Sequence, residues 1–244
     1  MKTLIKKFAR SLGVEIRKSC PLESEHNRLV LMLSAHRVDL VLDIGANTGQ
    51  SARELRRAGY RGDIISFEPL SSAHQQLVQN ARNDPRWTVA PRLALGSHNG
   101  QIEIHVSHNS YSSSILPMLP AHLAGAPDSK YIGVEMTPLR TLDSLIGNVI
   151  PADRSRIFCK LDAQGYEANI LAGAETLLTR AVGVQMEMSL APLYEGQPSF
   201  RELMDRMESS RFEAHGFIPG FVDPQSGRML QIDGVFFRTS HHAK

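Results

Sequence analysis

Leu40-Val41-Leu42-Asp43-Ile44-Gly45-Ala46-Asn47-Thr48-Gly49, followed by Ile64-Ile65-Ser66-Phe67-Glu68-Pro69, decides how this chain reads. The first piece is an apolar strand entering a turn whose glycines let the backbone approach a ligand closely. The second is another apolar strand, and it ends in a carboxylate. In a doubly wound α/β sheet, ligands bind outside the carboxyl ends of the strands, where the strand order reverses. A carboxylate at the tip of the second strand can accept from both hydroxyls of a ribose. The two strands therefore predict a site for a nucleoside-containing cofactor.

The spacing narrows the choice of cofactor. A dinucleotide fingerprint is G-x-G-x-x-G, with room for a pyrophosphate at a helix N-terminus. Here the turn is D-x-G-x-N-x-G, formed by Asp43, Gly45, Asn47 and Gly49. A carboxylate at the strand end would repel a pyrophosphate but suits the cationic amino-acid end of S-adenosylmethionine. Backbone groups of the tighter turn would then meet the carboxylate of that cofactor.

The 244 residues suit one large α/β domain with a modest addition. A hydrophobic content of 42% is enough for a core, and a net charge of +2 gives no argument for nucleic acid. The charge is uneven. Residues 1–18 carry about +5, the remainder about −3. Leu4, Ile5, Phe8, Leu12 and Ile16 fall at helical spacing among those lysines and arginines. This predicts a basic amphipathic extension over residues 1–37, ahead of a catalytic domain over 38–240. Such a helix either lies on an anionic membrane or covers a sheet edge or a partner copy, which leaves a homo-oligomer open. Cys20 and Cys159 lack metal-ligand spacing, and Cys159, inside an apolar run, reads as a buried reduced thiol. With neither a membrane-span pattern nor a signal-peptide core, the expectation is a cytoplasmic protein, with peripheral contact at the inner membrane face as a variant.

Strand and helix patterns alternate after residue 39. Strands are expected at 40–46, 64–68, 87–95, 101–107, 134–136, 156–161, 182–188, 212–218 and 235–238. Helices are expected at 50–58, 71–82 (capped by Ser71 or Ser72), 168–178 and 200–209. Residues 108–130 form a long segment rich in Ser, Pro and Ala, of the kind that often carries binding residues. Charged residues flank the apolar strand that ends Lys160-Leu161-Asp162, so Asp162 is placed at the exposed carboxyl edge, with Glu187 at the next strand end. Together with Asp43 and Glu68 they make a cluster of like charge, which raises some pKa values or attracts a cation.

The motifs occur in the order D-x-G-A-N-x-G from Asp43, F-E-P at Phe67 to Pro69, A-L-G at Ala94 to Gly96 and R-T-L-D at Arg140 to Asp143. K-L-D-x-x-G-x-E from Lys160 to Glu167 and a final Glu187 follow. This combination resembles the FkbM family of S-adenosylmethionine-dependent methyltransferases over roughly residues 38 to 238. The resemblance implies a Rossmann-like class I methyltransferase fold: a seven-stranded, mostly parallel sheet with a closing antiparallel hairpin. It implies O-methylation of a sugar hydroxyl in a glycolipid, polysaccharide or glycosylated natural product, with N- or C-methylation, or a non-catalytic binder, as alternatives. By the same resemblance Asp43, Gly45, Asn47 and Gly49 line the methionine part, Glu68 with Pro69 takes the ribose, and Ala94 or Leu95 meets the adenine. Asp162 and Glu167 fall on the reaction side, with Tyr166 standing where that motif usually has a small or aliphatic residue.

Methyl transfer to a hydroxyl needs in-line alignment and a proton acceptor. Asp162 is the first candidate base, Glu187 the second and His108, at the mouth of the long loop, a third. Each has a plainer reading as well: Asp162 as a cap or cofactor contact, Glu187 as an ion-pair partner of Lys160, His108 as a surface residue. Glu167 at a helix start also complements the macrodipole, and Asp143 reads as a helix cap. Magnesium would assist by acidifying the alcohol, but no ligand spacing demands it.

Overall fold

β1 (Leu40–Ile44) is buried at every position, as expected of an apolar run with parallel neighbours on both sides. It lies between β2 (Asp63–Phe67) and β7 (Ile157–Leu161), parallel to both. β3 (Trp87–Val89) extends the sheet beyond β2, and β8 (Ala181–Ser189) extends it beyond β7. β10 (Gln231–Arg238) then runs antiparallel between β8 and β9 (Phe212–Pro219). The order β3-β2-β1-β7-β8-β10-β9 is the seven-stranded, mostly parallel sheet that the sequence predicts. The order reverses at β1, so the ligand crevice belongs at the carboxyl ends of β1, β2 and β7.

These features come from a computed structural model that describes residues 24–239, together with Lys7 and Arg10. Apart from those two residues, the basic amphipathic segment lies outside the described residues, as does Cys20. Cys159 is free and buried in β7, and burial pushes its thiol up to about 12, which keeps it protonated. Among the described residues no helix is long and apolar enough to cross a membrane.

The helices follow their apolar spacing. α1 (Glu25–Ala35) buries Leu29 and Leu33, four residues apart. α2 (Gln50–Arg57) and α3 (Ser71–Ala81) follow β1 and β2. α4 (Pro120–Gly125) is a short helix inside the long loop. α7 (Phe200–Ser209) begins with a capping box between Ser199 and Glu202. Two large apolar clusters and two small ones form the core of the described residues, and the large ones share the main sheet. One gathers Leu42, Cys159, Val184 and Phe236, the other Val41, Phe158, Val235 and Phe237, so adjacent positions along the strands point into different clusters.

Four expectations are corrected. The segment 87–95 is not one strand: β3 ends at Val89, and β4 (Ala94–Leu95) joins a separate sheet of order β4-β6-β5. Pro91, which has no N–H to donate to a ladder, lies at the break. β5 (Gly100–Ser107) pairs there with β6 (Tyr131–Arg140), which is longer than the expected 134–136. The helix expected over 168–178 divides into α5 (Glu167–Ala172) and α6 (Glu175–Arg180). At the break, a Cβ on Gly173 would collide with the Gly96 carbonyl, so the chain needs glycine there. Finally, α3 is capped by neither serine: its N-cap is Leu70, and the Ser71 N–H and hydroxyl donate to Glu135 of β6.

Asp143 is a cap, though for a distant helix. Its carboxylate accepts from Thr176 N–H and Leu177 N–H, both at 2.8 Å, in the first turn of α6. Asp143→Ala should cost about 1 kcal/mol, the usual value of an N-cap, and lower the midpoint of a thermal melt by roughly 2–4 °C. An unchanged melt would show that the two N–H groups find water at no cost.

Candidate active site

A cavity of about 250 Å³ opens at the carboxyl ends of β1, β2, β7 and β8, near the lower end of the roughly 300–1,000 Å³ found for ligand sites. One wall is Gly45, Ala46 and Asn47, another Phe67, Glu68 and Pro69, and a third Leu93, Ala94 and Leu95. Asp162, Gln164, Tyr166 and Glu187 close the far side, and Ser110 to Ile115 of the long loop reach over it.

The glycine turn is shaped for a close approach. Gly45 has φ 76°, and a Cβ on it would collide with the Asp162 carbonyl, so the β1 and β7 tips touch only because it is glycine. The turn's own N–H groups are already used. Gly45 and Ala46 donate to Phe67 O, Asn47 to Glu68 and Thr48 to its neighbour's side chain. The N–H groups left for a ligand carboxylate are those of the α2 first turn, where the Gly49 cap offers no side chain and Gln50 and Ser51 face the cavity. Gly49 itself packs against Trp87 and Leu77 rather than lining the cavity.

Asp43 is fully buried beneath this turn. Its Oδ2 accepts from Ser66 at 3.1 Å, while Oδ1 has no partner. Burial raises its pKa, against the opposing pull of Lys160 and Ser66. Glu68, at the β2 tip, accepts from Asn47 N–H at 2.7 Å and Leu70 N–H at 2.9 Å, which ties the two loops together. Burial lifts it to about 7 despite those two bonds.

Across the cavity, Lys160 of β7 is registered against Asp43 and bonded to Asp162 at 3.1 Å. The sequence places this lysine at an exposed tip, but its side chain is only 12% exposed. Burial pulls its pKa down, and Asp162, Asp43 and Asp233 more than offset that, so it stays charged. Asp162 is 43% exposed and faces the opening. Glu187 lies beside it, bridged through the Gln164 amide rather than paired with Lys160. Burial first, then Asp162, Glu167 and Asp233, raise Glu187 well above the ordinary carboxylate range.

Besides Gly49, three predicted residues lie outside the cavity lining. His108 is exposed outside the cavity lining, its N–H bonded to Lys130 O. Glu167 turns away from the cavity and accepts from Ala163 N–H and Gly165 N–H, at 2.9 and 3.3 Å. Burial raises it to about 7, and its task is to hold the 163–165 turn. Asp43 stands behind the cavity wall rather than in it. Among the described residues no group of three or more His, Cys, Asp and Glu side chains is arranged to hold a metal. The sequence reading missed Gln164, Ser110 and Tyr111. Their signals were weak: a position inside a motif read only for its acids, and a loop read only for its length.

A model of the Methyltransferase FkbM domain matches residues 43–219, which spans every strand tip described above. The chain belongs to the FkbM methyltransferase family. It is an S-adenosylmethionine-dependent methyltransferase. The 2-O-methyltransferase NoeI of Sinorhizobium fredii is 26% identical over 206 residues, covering 82% of this chain and 83% of that protein. A candidate O-methyltransferase from Klebsiella pneumoniae shares the fold at a TM-score of 0.50 and 12% identity, over 97% of this chain and 89% of that one. Magnesium protoporphyrin IX methyltransferase of Synechocystis, solved with bound cofactor, aligns at a TM-score of 0.46 and 13% identity, over 98% and 97%.

The cavity of this FkbM protein fits the cofactor on its own geometry. The close-approach turn, the uncapped α2 start and the buried Glu68 line one cavity, and the orphan Asp43 oxygen lies beneath the turn behind its wall. An apolar slot of Leu93, Leu95 and Phe67 lies beside Glu68, where a flat base would sit. Tyr166 closes the slot next to Gly96, so the aromatic departure narrows this wall.

Proposed function

We propose that this protein transfers a methyl group to a hydroxyl of a sugar, in a glycolipid, polysaccharide or glycosylated natural product. The observation that carries this reading is the Asp162–Glu187 pair lining the cofactor cavity opposite the Gly45 turn, where Glu187 is a proton acceptor with raised pKa. The relative named as a 2-O-methyltransferase supports oxygen as the acceptor atom. When bound, the cofactor supplies an electrophilic methyl group on a sulfonium.

Glu68 holds the ribose, the α2 start holds the amino-acid carboxylate, and the Gly45 turn fixes the distance to Asp162. Glu187 takes the acceptor's proton as the oxygen–methyl bond forms and the methyl–sulfur bond breaks. A sugar hydroxyl is a weak acid, so the raised carboxylate suits this step better than an ordinary one. Asp162 is ion-paired with Lys160 at 3.1 Å on the side where the cationic donor would lie. The sequence ranks Asp162 ahead of Glu187 as base; the raised Glu187 carboxylate supports the opposite order as part of this proposal. Tyr111, exposed on the loop and bonded to Gln50 at 3.1 Å, offers an aromatic face to a sugar at the cavity mouth.

Calorimetric titration with S-adenosylmethionine, S-adenosylhomocysteine and NAD tests the cavity, and micromolar binding of the first two alone is expected. A panel of methyl glycosides with methyl-labelled cofactor then tests the acceptor. Label on amines but not on glycosides would replace the sugar reading with N-methylation.

A further inference from the structure

Behind the Asp162–Glu187 wall runs a line of buried polar groups that the reaction as described leaves unused. Gln164 has φ 51°, a left-handed conformation that a non-glycine residue holds only with support from its surroundings. Ser114, on the loop that covers the cavity, donates to its carbonyl at 2.7 Å. The Gln164 amide nitrogen donates to Asp162 Oδ1 at 3.2 Å and to Glu187 Oε2 at 2.9 Å. Ionised carboxylates only accept, so the amide has one orientation and its oxygen must receive a proton from elsewhere. Tyr194 provides it, its hydroxyl donating to Gln164 Oε1 at 2.6 Å. On its other side the Tyr194 hydroxyl lies 3.3 Å from His122 Nε2. His122 and Tyr194 are both buried. Burial also pushes the His122 pKa down to about 4, so the ring is neutral near pH 7, and its Nδ1 lies 3.0 Å from Ser129 Oγ.

We propose that Gln164 is a positioning residue for methyl transfer. Oriented from behind by Tyr194 and His122, it holds the Asp162 and Glu187 carboxylates as a pair facing the sulfonium of the methyl donor. The inference rests on the transfer reading above and adds a device to it. Glu187 is faced by Lys160 of β7 and Asp162 just beyond it, by Glu167 from α5 and by Asp233 from β10. That is three carboxyl groups against one ammonium, which is itself bonded to Asp162. Lys160 favours the ionised form of Glu187 by its charge, the Gln164 N–H favours it by direct donation at 2.9 Å, and Tyr194, with His122 behind it, holds the amide that carries that N–H. The Ser114 bond links the same residue to the loop over the cavity, so the covering loop and the carboxylate pair share one support.

Calorimetric affinities of S-adenosylmethionine and S-adenosylhomocysteine, measured from pH 5.5 to 8.5, test this without an acceptor. The two ligands differ by one methyl group and the sulfonium charge. Titration of Glu68 against the ribose is common to both and cancels in the ratio of their affinities. In the unaltered protein the ratio should rise with pH as Glu187 ionises against the sulfonium. Tyr194→Phe keeps the ring but removes the hydroxyl. Gln164→Asn tolerates the left-handed backbone but draws the amide back. In both, the ionised carboxylate loses its aligned donor, so the midpoint of the rise should move up by about one pH unit. A purely structural role would lower the melting temperature without moving that midpoint. Midpoints unchanged in both variants, or a ratio flat with pH in the unaltered protein, would overturn the proposal. Failure of the unaltered protein to bind either ligand is a separate result, which removes the transfer reading itself.

Discussion

Glu187→Gln should lower turnover by roughly 10²–10⁴-fold, the usual worth of a positioned general base, while the cofactor remains bound. Glutamine keeps the volume and one acceptor oxygen at the β8 tip, so the loss reads out proton transfer more than packing. Glu187 is the carboxylate raised by burial, with Asp162, Glu167 and Asp233 adding to the effect. Asp162 instead shares its charge with Lys160 at 3.1 Å. The sign of the pH dependence follows. A base must be deprotonated to act, and this one is protonated up to a higher pH than a free glutamate. Turnover should therefore fall as pH drops through the raised value, well above the range of ordinary carboxylates, and Glu187→Gln should abolish that limb. The check is initial-rate kinetics on the best methyl glycoside, for Glu187→Gln and Asp162→Asn in parallel. If Glu187→Gln keeps its rate within about tenfold while Asp162→Asn loses its own, Asp162 is the base.

The main sheet was legible because its strands are short apolar runs between turn residues, and parallel strands buried on both faces have that composition. Glycine and acid positions in the Asp43–Gly49 turn located the cavity for the same reason, since they answer to backbone geometry that sequence states directly. The three-stranded sheet was not legible. Gln101 to Ser107 alternates as a strand should, yet nothing local says that its partner begins at Tyr131, beyond a long loop. Pro91 did carry the signal that 87–95 must break, and Gly173 the signal that 168–178 must. Both were overridden by the run of apolar residues around them. Side-chain tasks were harder again. Asp143 caps a helix some thirty residues later, and Tyr194, 30 residues from Gln164 and 72 from His122, meets both only in the folded chain. Glu167 was read as a site residue from its motif, but a carboxylate followed back to two N–H groups of its own turn is part of the scaffold. Motif membership says that a residue matters, and only its hydrogen bonds say whether it holds the ligand or the loop.

Glu68→Ala should weaken S-adenosylmethionine binding by well over tenfold and also lower the stability of the empty protein. The first effect comes from the ribose, because charge-assisted bonds to a carboxylate are worth about 1.5–3 kcal/mol each, and one such bond already exceeds a factor of ten. The second comes from Asn47 N–H and Leu70 N–H, which lose their acceptor at 2.7 and 2.9 Å. A buried donor left unpaired costs about 1–3 kcal/mol. The two effects separate under pH. Glu68 is lifted to about 7 in the empty protein, whereas hydroxyl donors of a ribose favour the ionised form. Binding should therefore release a proton near pH 7, and affinity should fall as pH drops below that value. Calorimetry in two buffers of different ionisation enthalpy measures the release for both cofactor and demethylated product, since both carry the ribose. Glu68→Ala should bind weakly with no release. A variant that melts earlier yet binds the cofactor as tightly as before would make Glu68 a strut between two loops and move the ribose contact elsewhere along the cavity.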